Sequence, residues 1–191
     1  WFPGETVSVA IGQGYVTVTP LQLANMMAAV ANGGKLYRPY VVNKVESVDG
    51  ATVREYGPEV IRTIELKPDT LKRVRAALAD VVSAPHGTGA AARSEVVSIA
   101  GKTGTAQVVE MKGGYVKTEQ LAYFNRDHAW FVSYAPVENP QVAIAVLVEH
   151  GGHGGDAAAP MAKKVFEKFI EVQKQSTDKQ QVKVDGESRA N

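Results

Sequence analysis

Apolar residues recur three and four apart in three stretches of the chain, which predicts helices, and run on with little interruption in three others, which predicts strands. The first periodic stretch carries Leu23, Met27, Val30 and Ala31 on one face, with Ala24 and Ala28 small enough for close packing. Thr19 as N-cap, Pro20 at the first helical position and Gln22 three residues after Thr19 form a capping box. Asn32-Gly33-Gly34 ends the helix. Met26 and Met27 are read as core residues rather than ligands. A second helix is predicted from Pro68 by Leu71, Val74, Leu78 and Val81, with Lys72, Arg73 and Arg75 on the wet side. It closes near Pro85-His86-Gly87-Thr88-Gly89, read as a flexible connection. A third helix starts at Asp156 or a neighbour and continues through Ala162, Val165, Phe166, Phe169 and Ile170.

The stretches from Ala129 to Ala135 and from Val142 to Val148 read as strands joined by a turn between Pro136 and Pro140. The second is apolar at every position, which fits a sheet covered on both faces. A further strand is predicted over Val96–Val109. Loops rather than long crossovers join the three, so an antiparallel sheet flanked by helices is expected, an α+β fold. Leu36–Val48 and Ala51–Tyr56 are expected to pair around the hairpin signal Asp49-Gly50. Trp1–Val18 reads as a turn and a shaped loop, and Glu110–Asp127, with Gly113-Gly114, as a long polar loop. From Gln173 onward the residues are polar and aperiodic, so residues 1–172 are expected to form the domain and 173–191 a disordered tail.

Composition narrows the classes. The 191 residues are 45% hydrophobic with a net charge of +1, enough for a real core and without the basic excess of a nucleic-acid binder. No run is long enough to span a membrane, and the absence of cysteine excludes disulfides and thiol chemistry. The chain opens at Trp1 with no secretory signal, which is expected of a piece excised from a longer protein.

The chemistry concentrates where a strand is too polar for a core, at Lys102-Thr103-Gly104-Thr105. Alternation puts Lys102 and Gly104 on one face and Thr103 and Thr105 on the other, so a cation and two hydroxyls stand at fixed places for an anionic substrate. Gly104 leaves the face beside Lys102 without a Cβ. A P-loop is excluded, because Val96 occupies the place of its first glycine and no helix-forming run follows Thr105. Lys-Thr-Gly is instead the third signature of serine acyl-transferases of the penicillin-binding and β-lactamase type. The first signature, Ser-x-x-Lys, occurs only at Ser176–Lys179 in the polar tail, and the second is matched only by Tyr123-Phe124-Asn125, out of order. Both are set aside. His150, His153 and Asp156 lack the third ligand of certain geometry that a metal needs, so no metal or other cofactor is expected. Glu149, His86 and His128 are read as solvated or structural.

Ile11-Gly12-Gln13-Gly14, Thr19-Pro20-Leu21-Gln22-Leu23-Ala24, Ala31-Asn32-Gly33-Gly34 and Gly101–Gln107, in that order, resemble class B penicillin-binding proteins. Glu149-His150-Gly151-Gly152 and the Trp130-Phe131 strand resemble the elongation-specific branch. The resemblance implies a β-lactamase/transpeptidase-like fold and a serine D,D-transpeptidase that cross-links peptidoglycan stem peptides and is acylated by β-lactams. It implies that Lys102 supports the proton relay and that Thr103 and Thr105, beside Gly104, hold the donor's terminal carboxylate. The Thr105 N–H would supply one oxyanion donor, worth roughly 3 kcal/mol when held on a rigid strand. It further implies a place on the periplasmic face of the inner membrane, anchored by an upstream segment, beside an elongation glycosyltransferase and scaffold proteins. The chain would be the C-terminal half of the transpeptidase domain, needing the N-terminal half for its nucleophile and inactive without it. A β-lactam sensor or peptidoglycan-binding module of the same fold, or a division-specific transpeptidase, stays open.

Overall fold

The computed structural model describes residues 2–10, 12, 16–108 and 120–188, and of residues 3 and 177–188 the backbone only. In chain order its elements are α1 (Pro3–Ala10), α2 (Pro20–Asn32), β1 (Lys35–Tyr37), β2 (Lys44–Glu46), β3 (Thr52–Glu55), β4 (Val60–Thr63), α3 (Pro68–Ser83), β5 (Ala100–Ala106), β6 (His128–Ala135), β7 (Val142–Val148) and α4 (Gly154–Ser188). β5, β6 and β7 form an antiparallel sheet in that order, and β1–β4 and β2–β3 are separate two-stranded ladders.

Side-chain alternation divides the three-stranded sheet into two covered faces. Phe131 and Ala129 of β6, with Val146 and Val148 opposite them on β7, pack with Ala158, Ala159, Ala162 and Phe166 of α4. On the other face Val132 and Tyr134 pack with Met27 and Ala31 of α2. The end of α3 serves both faces: Leu78 and Ala79 join the α2 side, and Val81 and Val82 the α4 side. Two helix layers thus enclose the sheet, which is why β7 tolerates an apolar residue at every position.

The start of α2 is as predicted. The Gln22 N–H donates to Thr19 Oγ1 at 3.2 Å and the Thr19 N–H to Gln22 Oε1 at 2.8 Å, closing the capping box. Gly33 ends the helix at φ 93°, a left-handed conformation that a Cβ would strain. Met27 is buried as expected, but Met26 is about half exposed.

Several expectations change. Residues 3–10 are helical rather than loop, and residues 11 and 13–15 of the glycine-rich motif lie outside the described residues. The hairpin at Asp49-Gly50 forms, but between the shorter β2 and β3; Leu36 belongs to β1 and pairs with Arg62 of β4. The predicted strand Val96–Val109 shrinks to β5, because β6 offers partners only from Ala100 to Ala106. Residue 109 and residues 110–119 of the predicted loop lie outside the described residues. Residues 173–188, expected to be a disordered tail, continue α4. Their Gln- and Lys-rich sequence carries good helix formers, and extending a helix already docked on the sheet avoids the cost of nucleation. Among the described residues no helix is long and apolar enough to cross a membrane.

Two arginines tie the helix ends together. Arg75, expected on the wet side, is half-buried and donates from Nε to the Val30 carbonyl at 3.0 Å and from Nη2 to that of Ala31, at the C-terminus of α2. Arg93 Nη2 reaches the carbonyls of Val82, Ser83 and Ala84 at 3.1–3.2 Å, at the C-terminus of α3. A cation there meets the negative end of the helix dipole as well as carbonyls that lack a partner within the helix. Arg93→Ala should therefore lower stability by about 1 kcal/mol, read as a shift of the urea midpoint at constant slope; Arg93→Lys should recover only part, lacking the planar fork.

Candidate functional site

β5 is an edge of the described three-stranded sheet, and its register fixes where each candidate side chain goes. Thr103 stands opposite Phe131 and Thr105 opposite Ala129, so both hydroxyls lie on the α4 face. Lys102 stands opposite Val132, on the α2 face. The predicted division of the two faces is what the register shows. Lys102 is exposed, and its Nζ donates to the Thr103 carbonyl at 2.8 Å.

An open cleft of about 490 Å³ follows this edge, lined by Lys102, Thr103, Gly104 and Thr105 together with Thr88 and residues 153–156. All four strand residues singled out from the sequence therefore meet in one place. The loop after α3 supplies Thr88, whose Oγ1 is 2.8 Å from Thr103 Oγ1. The first turn of α4 supplies the opposite wall. Gly154 lies so close to the β5–β6 ladder that a Cβ there would overlap the Trp130 carbonyl oxygen and stand 2.6 Å from that of Gly104. At Gly104 itself a Cβ would meet only the Trp130 Cβ, at 3.3 Å. The close approach anticipated at Gly104 is therefore made by another glycine, on the opposite face.

The other candidates separate. His150 adopts φ 56°, its N–H donates to His128 Nδ1 at 2.9 Å, and its own Nδ1 faces the Arg126 carbonyl at 3.1 Å. Only a protonated Nδ1 can serve that carbonyl, so His150 is turned into a cluster with His128, Tyr123 and Phe124. His128, read as structural, is the acceptor of that N–H. His153 instead lines the cleft, so the two histidines of the glycine loop do not converge. Glu149 is exposed and is not part of the cleft wall. Ser176 donates its hydroxyl to the Val172 carbonyl of its own helix at 2.9 Å. Asn125 sits in a short turn, Tyr123–Asn125, packed beside His150.

Sequence reasoning passes over Thr88, weighs His153 as a metal ligand, and takes Asp156 as a metal ligand or a helix start. The signal available was glycine placement: Thr88 lies between Gly87 and Gly89, and Asp156 follows Gly154-Gly155. Glycines so placed permit close backbone approach, but to which neighbour is a tertiary fact.

Residues 1–167 match the penicillin binding protein transpeptidase domain. The chain is 41% identical over 177 residues to the peptidoglycan D,D-transpeptidase MrdA of Acinetobacter baumannii, covering 92% of this chain and 26% of that protein. Among solved structures, it resembles Pseudomonas aeruginosa PBP2 in complex with WCK 5153 at a TM-score of 0.68 and 39% identity, over 88% of this chain and 34% of that one. It also resembles the complex between PBP2 and MreC from Helicobacter pylori, at a TM-score of 0.68 and 31% identity over 90% of this chain and 28% of that one. The chain thus spans about a quarter of the length of the curated relatives it matches. Its mixed helices and antiparallel sheet are those of the β-lactamase/transpeptidase-like fold.

Proposed function

The chain belongs to the family of penicillin-binding protein transpeptidase domains, and from that premise we propose that it carries the substrate-holding strand of a serine D,D-transpeptidase of cell elongation. The observation behind this reading is the cleft, where a lysine and two threonines of one edge strand face the first turn of α4. No serine is among the described residues that line it. The nucleophile belongs to the remaining part of the longer protein, and residues 1–172 form the late part of its transpeptidase domain.

In the proposed reaction a serine Oγ attacks the carbonyl of the penultimate D-Ala, the terminal D-Ala leaves, and an amine of a second stem peptide takes the acyl group. Thr103 and Thr105 donate their hydroxyls to the donor's terminal carboxylate. Lys102 supports removal of the serine proton, and the Thr105 N–H stabilises the developing oxyanion, an interaction that needs no reorganisation on a rigid strand. β-Lactams enter by the same carboxylate contacts. An anchor upstream would hold the enzyme at the periplasmic face of the inner membrane, beside a glycosyltransferase and a scaffold; the complex of the H. pylori relative with MreC supports a partner of that kind.

In the longer protein, Thr103→Val should slow acylation by a carboxylate-bearing penicillin about tenfold or more, the loss of one hydrogen bond to a charged group. The melting temperature should stay close to normal, since valine suits a strand. The label should map to a serine outside these 191 residues. An unchanged rate removes Thr103 from carboxylate binding, and a complete protein that never labels removes the transpeptidase reading. Labelling without stem-peptide turnover would favour a β-lactam sensor.

A further inference from the structure

We propose that Thr88 is a positioning residue that presets the Thr103 hydroxyl to donate to the substrate carboxylate; this rests on the reading of Thr103 given above. The two hydroxyl oxygens are 2.8 Å apart, and either could be the donor. A bound carboxylate removes that freedom, because an ionised carboxylate only accepts. Thr103 must then give its one proton to the carboxylate, and the bond between the threonines survives only with Thr88 as donor. The chain runs Thr88 O–H to Thr103 Oγ1, then Thr103 O–H to carboxylate, and each bond polarises the next.

The surroundings hold Thr88 in place for such a task. Its loop folds back on α3, with the Gly89 N–H donating to the Val81 carbonyl at 2.9 Å and the Ala90 N–H to that of Gly87 at 3.1 Å. The expected flexible connection is therefore a pinned loop, and Arg93 bonds the carbonyls at its start. On the other side Gly155 lies against the Thr88 carbonyl, so close that a Cβ there would overlap it and come within 3.8 Å of Thr103 Cγ2. The loop after α3, β5 and the first turn of α4 converge on this pair of hydroxyls, which lies at the cleft wall. A tie that merely joined loop to strand would affect every ligand equally. A tie that orients a donor should matter only for ligands with a carboxylate.

The test compares acylation of the full-length protein by benzylpenicillin and by its methyl ester. Thr88→Val should slow benzylpenicillin about three- to tenfold, the worth of one ordinary hydrogen bond, and leave the ester within about twofold. Thr88→Ser, which keeps the hydroxyl, should restore the rate. In a Thr103→Val background the Thr88 change should cost nothing further, since the group it acts through is gone. Thr88→Ala gives the same readout should the valine variant fold poorly. An unchanged benzylpenicillin rate, an equal loss for both ligands, or full additivity with Thr103→Val overturns the proposal while leaving the transpeptidase reading intact. A wild-type protein that benzylpenicillin never acylates overturns both.

Discussion

Lys102→Ala in the longer protein should lower the rate of acylation by a penicillin about a hundredfold to ten-thousandfold, the range for removing a positioned proton-transfer group. Lys102 is exposed, and its ammonium bonds the carbonyl of the neighbouring Thr103 rather than any core group. The variant should therefore fold normally, and the loss should appear in the chemical step. Among the described residues lining the cleft, Lys102 is the one lysine or arginine, so no neighbour can take its place. His153 is there too, but it stands just before α4, its carbonyl accepting from the Asp156 and Ala157 N–H groups, and not on β5. Stopped-flow acylation, with far-UV circular dichroism to verify the fold, decides the matter. A loss below about tenfold would leave Lys102 a strand residue with no part in proton transfer. Lys102→Arg should be nearly as damaging as the alanine variant, because a guanidinium keeps the charge but cannot give up its proton.

Gly154→Ala should be the most destabilising single methyl that could be added at this site, at about 3 kcal/mol, the upper end for overpacking. The new Cβ would meet two backbone carbonyl oxygens, of Trp130 and Gly104, and neither can rotate away as a side chain would. The first turn of α4 would have to lift off β5 and β6. Ala158, Ala159, Ala162 and Phe166, all buried, would lose part of their contact with the sheet. Denaturant unfolding of the longer protein measures the cost. The same lift would carry Gly155 away from Thr88, so acylation should slow even in the fraction that remains folded. An unchanged midpoint and an unchanged rate together would mean that α4 does not press on the strand as described.

The residues alone determined the elements whose causes are local. The capping box from Thr19 to Gln22, the left-handed stop at Gly33 and the hairpin at Asp49-Gly50 each arise within a few residues. The alternation of Lys102 and Gly104 against Thr103 and Thr105 needs only a strand with a period of two. Such features are legible because neighbours in the chain cause them. Other features required three dimensions. The limits of β5 were set by where β6 offers partners, since the apolar residues before Ala100 continue the pattern without a ladder to join. Arg75 reads as a solvated cation until α2 brings two free carbonyls to it, 44 and 45 residues away in sequence. Thr88 carries no local mark beyond flanking glycines, and its meeting with Thr103 spans 15 residues of loop and strand. Gly154, Trp130 and Gly104 come from three separate elements, and their contact exists only once α4 docks on the sheet. The period of a strand records which face a side chain takes; what faces it is decided by packing between elements remote in sequence.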